Sequence, residues 1–248
     1  MRIAGQLIWA AFGERKSRFI VEVEHEGRRL ECFLANPGRL REILTPKRKL
    51  LLHAAASQGA VPGKRKILTS EEKLLRTVMG KRRAGYDVLA AQMEEGPAII
   101  DSRLPNRLVR EVLLAEALPE FRGLRYGRSE PPFGAGKLDF FLEPDCYLEV
   151  KGCTLVKDGV ALFPDAPTLR GTRQMMDLQH ARKLGYRACM LFVVGRGGAE
   201  VFSPHWEMDP AFARALQSAW RSGVEVMAYS TRCQNREILL GERMAVEL

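Results

Sequence analysis

Apolar and polar positions alternate through the first third of the chain, which marks it as strand-rich. Residues 6–12, 18–25 and 28–34 repeat with a period of two, the spacing that lets a strand bury one face. In RFIVEVEHEGRRLECFL the two alternating halves meet at Gly27, which is free to take positive φ, so the segment predicts a hairpin. ANPGRLREIL reads as a Pro-Gly turn running into a short helix, KRKLLLHAAA as a further strand, and SQGAVPGKRK as a loop. TSEEKLLRTVMGKRR fits a helix or a strand pair. Short strands closing on one small helix suggest a small β-barrel of the oligonucleotide-binding (OB) type.

The period changes after GPAIIDSRLPNR. SRLPNRLVREVLLAEALPEF predicts a helix of about four turns closed by Pro119. KLDFF and CYLEVKG predict strands, and APTLRGTRQMMDLQHARKLG a helix with Thr168 as N-cap and Gly185 past its end. YRACMLFVVG predicts a buried strand and VEVMAYSTRC a last one. Between them, DPAFARALQSAWRSG predicts a helix capped by Asp209 with Pro210 at its first position. This order implies a mixed sheet with right-handed crossovers and helices on its faces. The expected chain is α/β (α+β), with a barrel domain at 1–85 and a sheet domain at 86–248.

Composition changes little in this picture. Apolar content of 46% and charged content of 28% are those of an ordinary globular chain. No apolar run approaches the ~20 residues that cross a bilayer, and the N-terminus lacks a signal-peptide core. The expected location is therefore the cytoplasm, with nucleoid association open and no membrane partner. Five cysteines without a CxxC pair argue for free thiols rather than a disulfide framework or zinc knuckle. Four scattered histidines offer no HxxxH or HExxH metal motif.

Charge changes it more. Residues 1–85 hold 19 Lys+Arg against 8 Asp+Glu, and residues 86–248 hold 20 against 22. The excess comes in bursts: Lys47, Arg48 and Lys49; Lys64, Arg65 and Lys66; then KRR at 81–83. Clustered cations gain affinity for nucleic acid by releasing its condensed counterions, so the bursts read as a phosphate-binding face. A solvated surface is the plainer reading, and a membrane-surface patch the weaker alternative.

Candidate chemistry lies in KLDFFLEPDCYLEVKG, residues 137–152. A hairpin turning on Pro144 pairs Leu142 with Cys146 and sets Asp139 opposite Glu149, with Lys151 on the same face. Facing carboxylates repel unless a cation lies between them, and Mg²⁺ prefers one or two carboxylates plus water and phosphate oxygens. Lys151 would supply positive charge beside an attacked phosphate. A solvent-facing Glu–Lys pair is the alternative. Glu111 falls within the helical stripe Leu108, Val112, Ala115 and Leu118, where an unpaired charge is costly, so it is a third candidate. Glu130 is a fourth, in a turn-like segment. Arg170, Arg173 and Gln174 occupy the first turns of the following helix, placed for phosphate contact or for solvent.

Helical Glu, strand Asp and E-x-K in this order resemble the PD-(D/E)XK nuclease superfamily. NPGRLREIL, NRLVREVL, KLDFFLEPDCYLEVKGCTLV, FPDAPTLRGTRQMMDL and GVEVMAYS together resemble the sugar fermentation stimulation protein A (SfsA) family over nearly the whole chain. The resemblance implies an N-terminal OB-fold barrel, a C-terminal restriction-endonuclease-like domain, DNA binding, and a link to regulation of sugar (maltose) metabolism. It places the nuclease motif on Glu111, Asp139, Glu149 and Lys151, with Asp165 and Arg170 as neighbours. It also singles out Asn36, Gly38 and Arg39 for a nucleic-acid or structural role. Leu138 stands where the motif has proline.

The leading expectation is a DNA endo- or exonuclease that uses Mg²⁺ or Mn²⁺ held by Asp139, Glu149 and Glu111. Arg39, the basic bursts, Arg170 and Arg173 would contact DNA, single- or double-stranded. Trp9 or Phe33 would add stacking, although both also suit a core. The alternatives are a non-catalytic DNA-binding regulator and, more remotely, a small-molecule phosphodiesterase. Homo-oligomer formation is left open.

Overall fold

β1 (Leu7–Arg15), β2 (Ile20–His25) and β3 (Arg28–Phe33) form an antiparallel meander. β4 (Lys49–Ala54) pairs with β1, and β5 (Tyr86–Met93) with β4. The ring closes where β5 runs parallel to β3, Cys32 opposite Tyr86 and Phe33 opposite Asp87. β6 (Gly96–Ile99) extends this sheet from β5. These relationships come from a computed structural model that describes residues 1–54, 84–234 and 236–248. The barrel core is the alternating set the sequence marks: Val21, Val23, Leu50, Leu52 and Val88 are fully or almost fully buried.

Two barrel expectations change. Residues 40–44 form one turn, with Leu44 N–H on the Leu40 carbonyl at 2.8 Å, rather than a helix. The barrel also continues past residue 85, because β5 and β6 supply its closing strands, so the boundary falls after β6. The apolar run of β5 is buried on both sides, as a closing strand requires.

The second unit is a nine-stranded mixed sheet. Within it, β11 (Cys146–Cys153) is flanked by antiparallel β10 (Phe140–Glu143) and parallel β14 (Arg187–Val194). β16 (Glu225–Gln234) runs parallel to β14, and β17 (Glu237–Val246) antiparallel to β16. β7 (Arg125–Ser129) closes one side. β15 (Val201–Pro204), β13 (Val160–Phe163) and β12 (Leu155–Lys157) close the other. A small hairpin, β8 (Pro132–Phe133) and β9 (Gly136–Lys137), precedes β10. Helix α1 (Leu104–Leu114) covers one sheet face through Leu108 and Val109 against Leu148, Val150 and Leu191. α2 (Leu169–Lys183) and α3 (Pro210–Arg221) cover the other, with Met175, Leu178, Phe212 and Leu216 against Met190 and Phe192.

The caps follow the sequence: Thr168 Oγ1 accepts from Gly171 N–H at 3.0 Å, and Asp209 Oδ1 from Phe212 N–H at 3.0 Å. α1 is shorter than expected. It stops at Leu114, and Glu116 turns the chain at φ 51°, before Pro119 is reached.

Backbone bonds stitch the units together. Gly195 donates to the Cys153 carbonyl (2.8 Å) and accepts from Ile99 N–H (2.6 Å), tying β6 to β11. Ser102 N–H and the Asn36 amide bond Ala35 and Ile100 carbonyls at 2.9 and 2.8 Å. All five cysteines are free, four of them buried.

Candidate functional site

The hairpin register is Leu142 opposite Cys146, Phe141 opposite Tyr147 and Phe140 opposite Leu148. The ladder stops there, one position short of Asp139 and Glu149. Asp139 leaves the ladder, and its Oδ2 accepts the Val150 N–H at 2.8 Å. Its Oδ1 accepts from Asn106 Nδ2 on α1 at 2.9 Å. Glu149 points to the opposite face of β11 and meets α2. Asp139 is thus held by β11 and α1 and Glu149 by α2, and both line one cleft.

That cleft holds about 280 Å³. The barrel turn Asn36–Gly38 and the start of α1 wall one side; β11 and the first turns of α2 form the other. Gly152 allows the close fit, since a Cβ there would lie 2.8 Å from Pro105 of α1.

Glu149 is fully buried. Lys151 Nζ and Gln174 Nε2 both donate to its Oε1, and Lys151 also donates to Gln174 Oε1 at 2.8 Å. Oε2 is buried and has no hydrogen-bond partner. Burial, and secondarily the Asp139 charge, push the carboxyl up to about 8 against the pull of Lys151 and Arg170. A buried carboxylate with an orphaned oxygen beside a second carboxylate suits a divalent cation, whose site is completed by water and phosphate oxygens. Asp139 and Glu149 are the residues that would hold it. Among the described residues no group of three or more His, Cys, Asp or Glu side chains could hold a metal ion.

Glu111 is not part of this group. It is exposed and pairs with the N-terminal ammonium at 2.9 Å. The buried stripe of α1 is Leu104, Leu108, Val109 and Leu113, so Glu111 lies well round the helix from it. Ala115 and Leu118, which placed Glu111 inside the stripe, lie beyond the helix end. Glu130 lies outside the cleft lining and pairs with Lys137 at 3.5 Å. Asn106, not singled out from sequence, is the α1 side chain that reaches the site.

The barrel wall is held from below. Arg15 donates to the carbonyls of Gly38 (2.6 Å), Asn36 (2.7 Å), Arg18 (2.6 Å) and Arg39 (3.2 Å). Asn36 Oδ1 takes the Gly38 N–H at 2.8 Å, closing a side-chain turn. Asp165 abuts this turn and hydrogen-bonds the Arg39 backbone; burial raises its carboxyl. Arg170 lines the cleft, while Arg39 and Arg173 are exposed outside its lining. Lys47, Arg48 and Lys49 lead into β4, away from the cleft, and Arg48 Nη1 bonds the Gln92 carbonyl at 3.3 Å. Lys64, Arg65, Lys66 and KRR at 81–83 lie outside the described residues. Phe33 is core at 1% exposure, beneath the Arg103 guanidinium, whereas Trp9 is 40% exposed.

Fold and site together define a two-domain α+β protein, an OB barrel joined to a large mixed sheet that carries an acidic-lysine cleft. The chain belongs to the sugar fermentation stimulation protein (SfsA) family. The family's "Sugar fermentation stimulation protein RE domain" matches residues 103–237, and the "SfsA N-terminal OB domain" residues 14–70. A sugar fermentation stimulation protein homolog of Moorella thermoacetica is 38% identical over 237 residues, covering 94% of this chain and 92% of the relative. One from Methanothermobacter thermautotrophicus is 36% identical over 230 residues, covering 92% and 87%. A solved structure, that of Pyrococcus furiosus SfsA in complex with Ca²⁺, superposes over 100% of both chains with a TM-score of 0.83 and 27% identity. No helix among the described residues is long and apolar enough to cross a membrane.

Proposed function

We propose that the protein is a divalent-cation-dependent DNA nuclease that hydrolyses phosphodiester bonds in the cleft between barrel and sheet. The observation that carries this reading is Glu149: a fully buried carboxylate with one oxygen unpartnered, beside Asp139 and Lys151. A folded chain bears that cost only where something repays it. The Pyrococcus furiosus relative is solved in complex with Ca²⁺, which supports a divalent cation as the ligand class.

Asp139 and Glu149 would hold Mg²⁺ or Mn²⁺, which when bound polarises a phosphoryl oxygen and acidifies a coordinated water. Lys151, steadied by Gln174, stabilises charge developing on the phosphate or orients the nucleophile. Arg170 at the cleft, with Arg39 and Arg173 outside it, neutralises flanking phosphates. The barrel's basic residues, Lys47 to Lys49 and Lys64 to Lys66, track the rest of the strand. In this reading the protein works in the cytoplasm against the nucleoid.

The test is cleavage of single- and double-stranded DNA with and without Mg²⁺, in the parent protein and in Glu149→Gln. Cleavage that needs both the ion and Glu149 supports the proposal; equal rates in the two proteins refute it. A non-catalytic DNA-binding regulator of sugar metabolism is the second reading. The exposed position of Glu111, which leaves Asp139 and Glu149 as the motif carboxylates at the cleft, favours it. Salt-dependent DNA binding with no Mg²⁺-dependent turnover would select it.

A further inference from the structure

We propose that Asn106 is an oxygen ligand of the cation held between Asp139 and Glu149, and that its amide turns over when the cation arrives. This rests on the cation-dependent reading above. α1 sends no carboxylate into the cleft, since Glu111 pairs with the N-terminus. What it sends is Asn106, half-buried, with Nδ2 donating to Asp139 Oδ1 at 2.9 Å. The Asn106 amide oxygen makes no hydrogen bond among the described residues. Across the cleft, Glu149 Oε2 is buried and equally unpartnered.

An amide has one donating and one accepting end, and asparagine's terminal torsion has a broad two-fold well. In the cation-free cleft the donating end satisfies Asp139. A bound cation draws the Asp139 lone pairs to itself and repels the N–H. Half a turn about the terminal torsion then presents the oxygen instead. Asparagine carbonyls are ordinary ligands of hard cations, which take six or more oxygens in the case of Ca²⁺. The ligand adds no charge to a site that already crowds two carboxylates. Pro105 packed on Gly152 pins this turn of α1 against β11, so Asn106 cannot retreat.

Europium luminescence lifetimes in H₂O and D₂O count the waters on a bound ion. The expected result is one additional water in Asn106→Ala than in the parent protein, with about tenfold or greater loss of affinity. Asn106→Asp, which keeps an oxygen, should return the parent count. Asn106→Leu, which fills the space without an oxygen, should repeat the alanine result and guards against a collapsed alanine variant. An unchanged count in all three variants would make Asn106 a mere prop for Asp139 and overturn this inference alone. Failure of the parent protein to bind europium would overturn the cation reading, and this inference with it.

Discussion

Glu149 and Lys151 leave β11 on the same face and meet as an ion pair, the carboxylate side chain 1% exposed and the ammonium 17%. Two residues apart on a strand, they share a face by the period-two rule. Gln174 of α2 closes the triangle by bonding both. Only Glu149 Oε1 is used in this triangle, and the other oxygen is what makes the group chemically available.

The titration of Glu149 sets a pH dependence. Its carboxyl is raised to about 8 in the folded chain from an ordinary 4.5. The folded state therefore binds more protons than the unfolded one, and stability falls as pH rises between those values. Urea denaturation of the metal-free protein at pH 5, 6, 7 and 8 should show declining stability. Excess Ca²⁺ should flatten or reverse the slope by binding the ionised form, and Glu149→Gln should remove both effects.

Lys151→Met removes the ion-pair partner while keeping the stem's packing. Breaking a buried pair costs up to about 3–5 kcal/mol when the remaining charge persists. Glu149 can instead take a proton, so the loss should be smaller at pH 6 than at pH 8 and grow as pH rises past about 8. Cleavage should disappear at both pH values while DNA affinity falls little; chemical denaturation and a filter-binding assay check the two halves.

Gly38 is where the barrel presses on the sheet domain. A Cβ there would lie 2.6 Å from Asp165 Oδ2 and 2.9 Å from Asn36 Oδ1, both short side chains already in use. Gly38→Ala should cost about 1–3 kcal/mol by overpacking. It should also lower cleavage more than that stability loss explains, because the cleft wall moves. Thermal melts and rates measured well below the transition separate the two effects.

Arg170→Ala should weaken DNA binding across sequences and reduce the slope of log affinity against log salt by about 1, the signature of one lost phosphate contact. Replacing Lys47, Arg48 and Lys49 together by alanine should reduce it by about 2–3 if all three track the backbone. A slope identical to the parent's in both variants would remove these residues from the interface.

Much of the fold is legible because its signals are local. Gly27, Thr168, Asp209 and Gly185 punctuate elements through their own backbone or capping chemistry, and the EPD turn fixes a hairpin register that pairs Leu142 with Cys146. β12, β13, β15 and β17 are harder to read. They are short or half-exposed strands whose pairing is decided by distant partners, and β17 carries Glu237, Glu242 and Arg243 in its run. The site divides the same way. Glu149 and Lys151 follow from strand period. Asn106 does not, because its meeting with Asp139 depends on where α1 begins and how closely Pro105 approaches Gly152. Glu111 is misplaced by the same cause: its stripe counts Ala115 and Leu118, which the early helix stop at Leu114 takes off the helix.

The proposed chemistry places a divalent cation between Asp139 and Glu149. Crystals soaked in Mn²⁺ and measured at the manganese absorption edge test it directly. One strong anomalous peak is expected about 2.1 Å from an oxygen of each carboxylate, lost in Glu149→Gln. No peak at saturating Mn²⁺, or a peak on other side chains with the cleft empty, would contradict it.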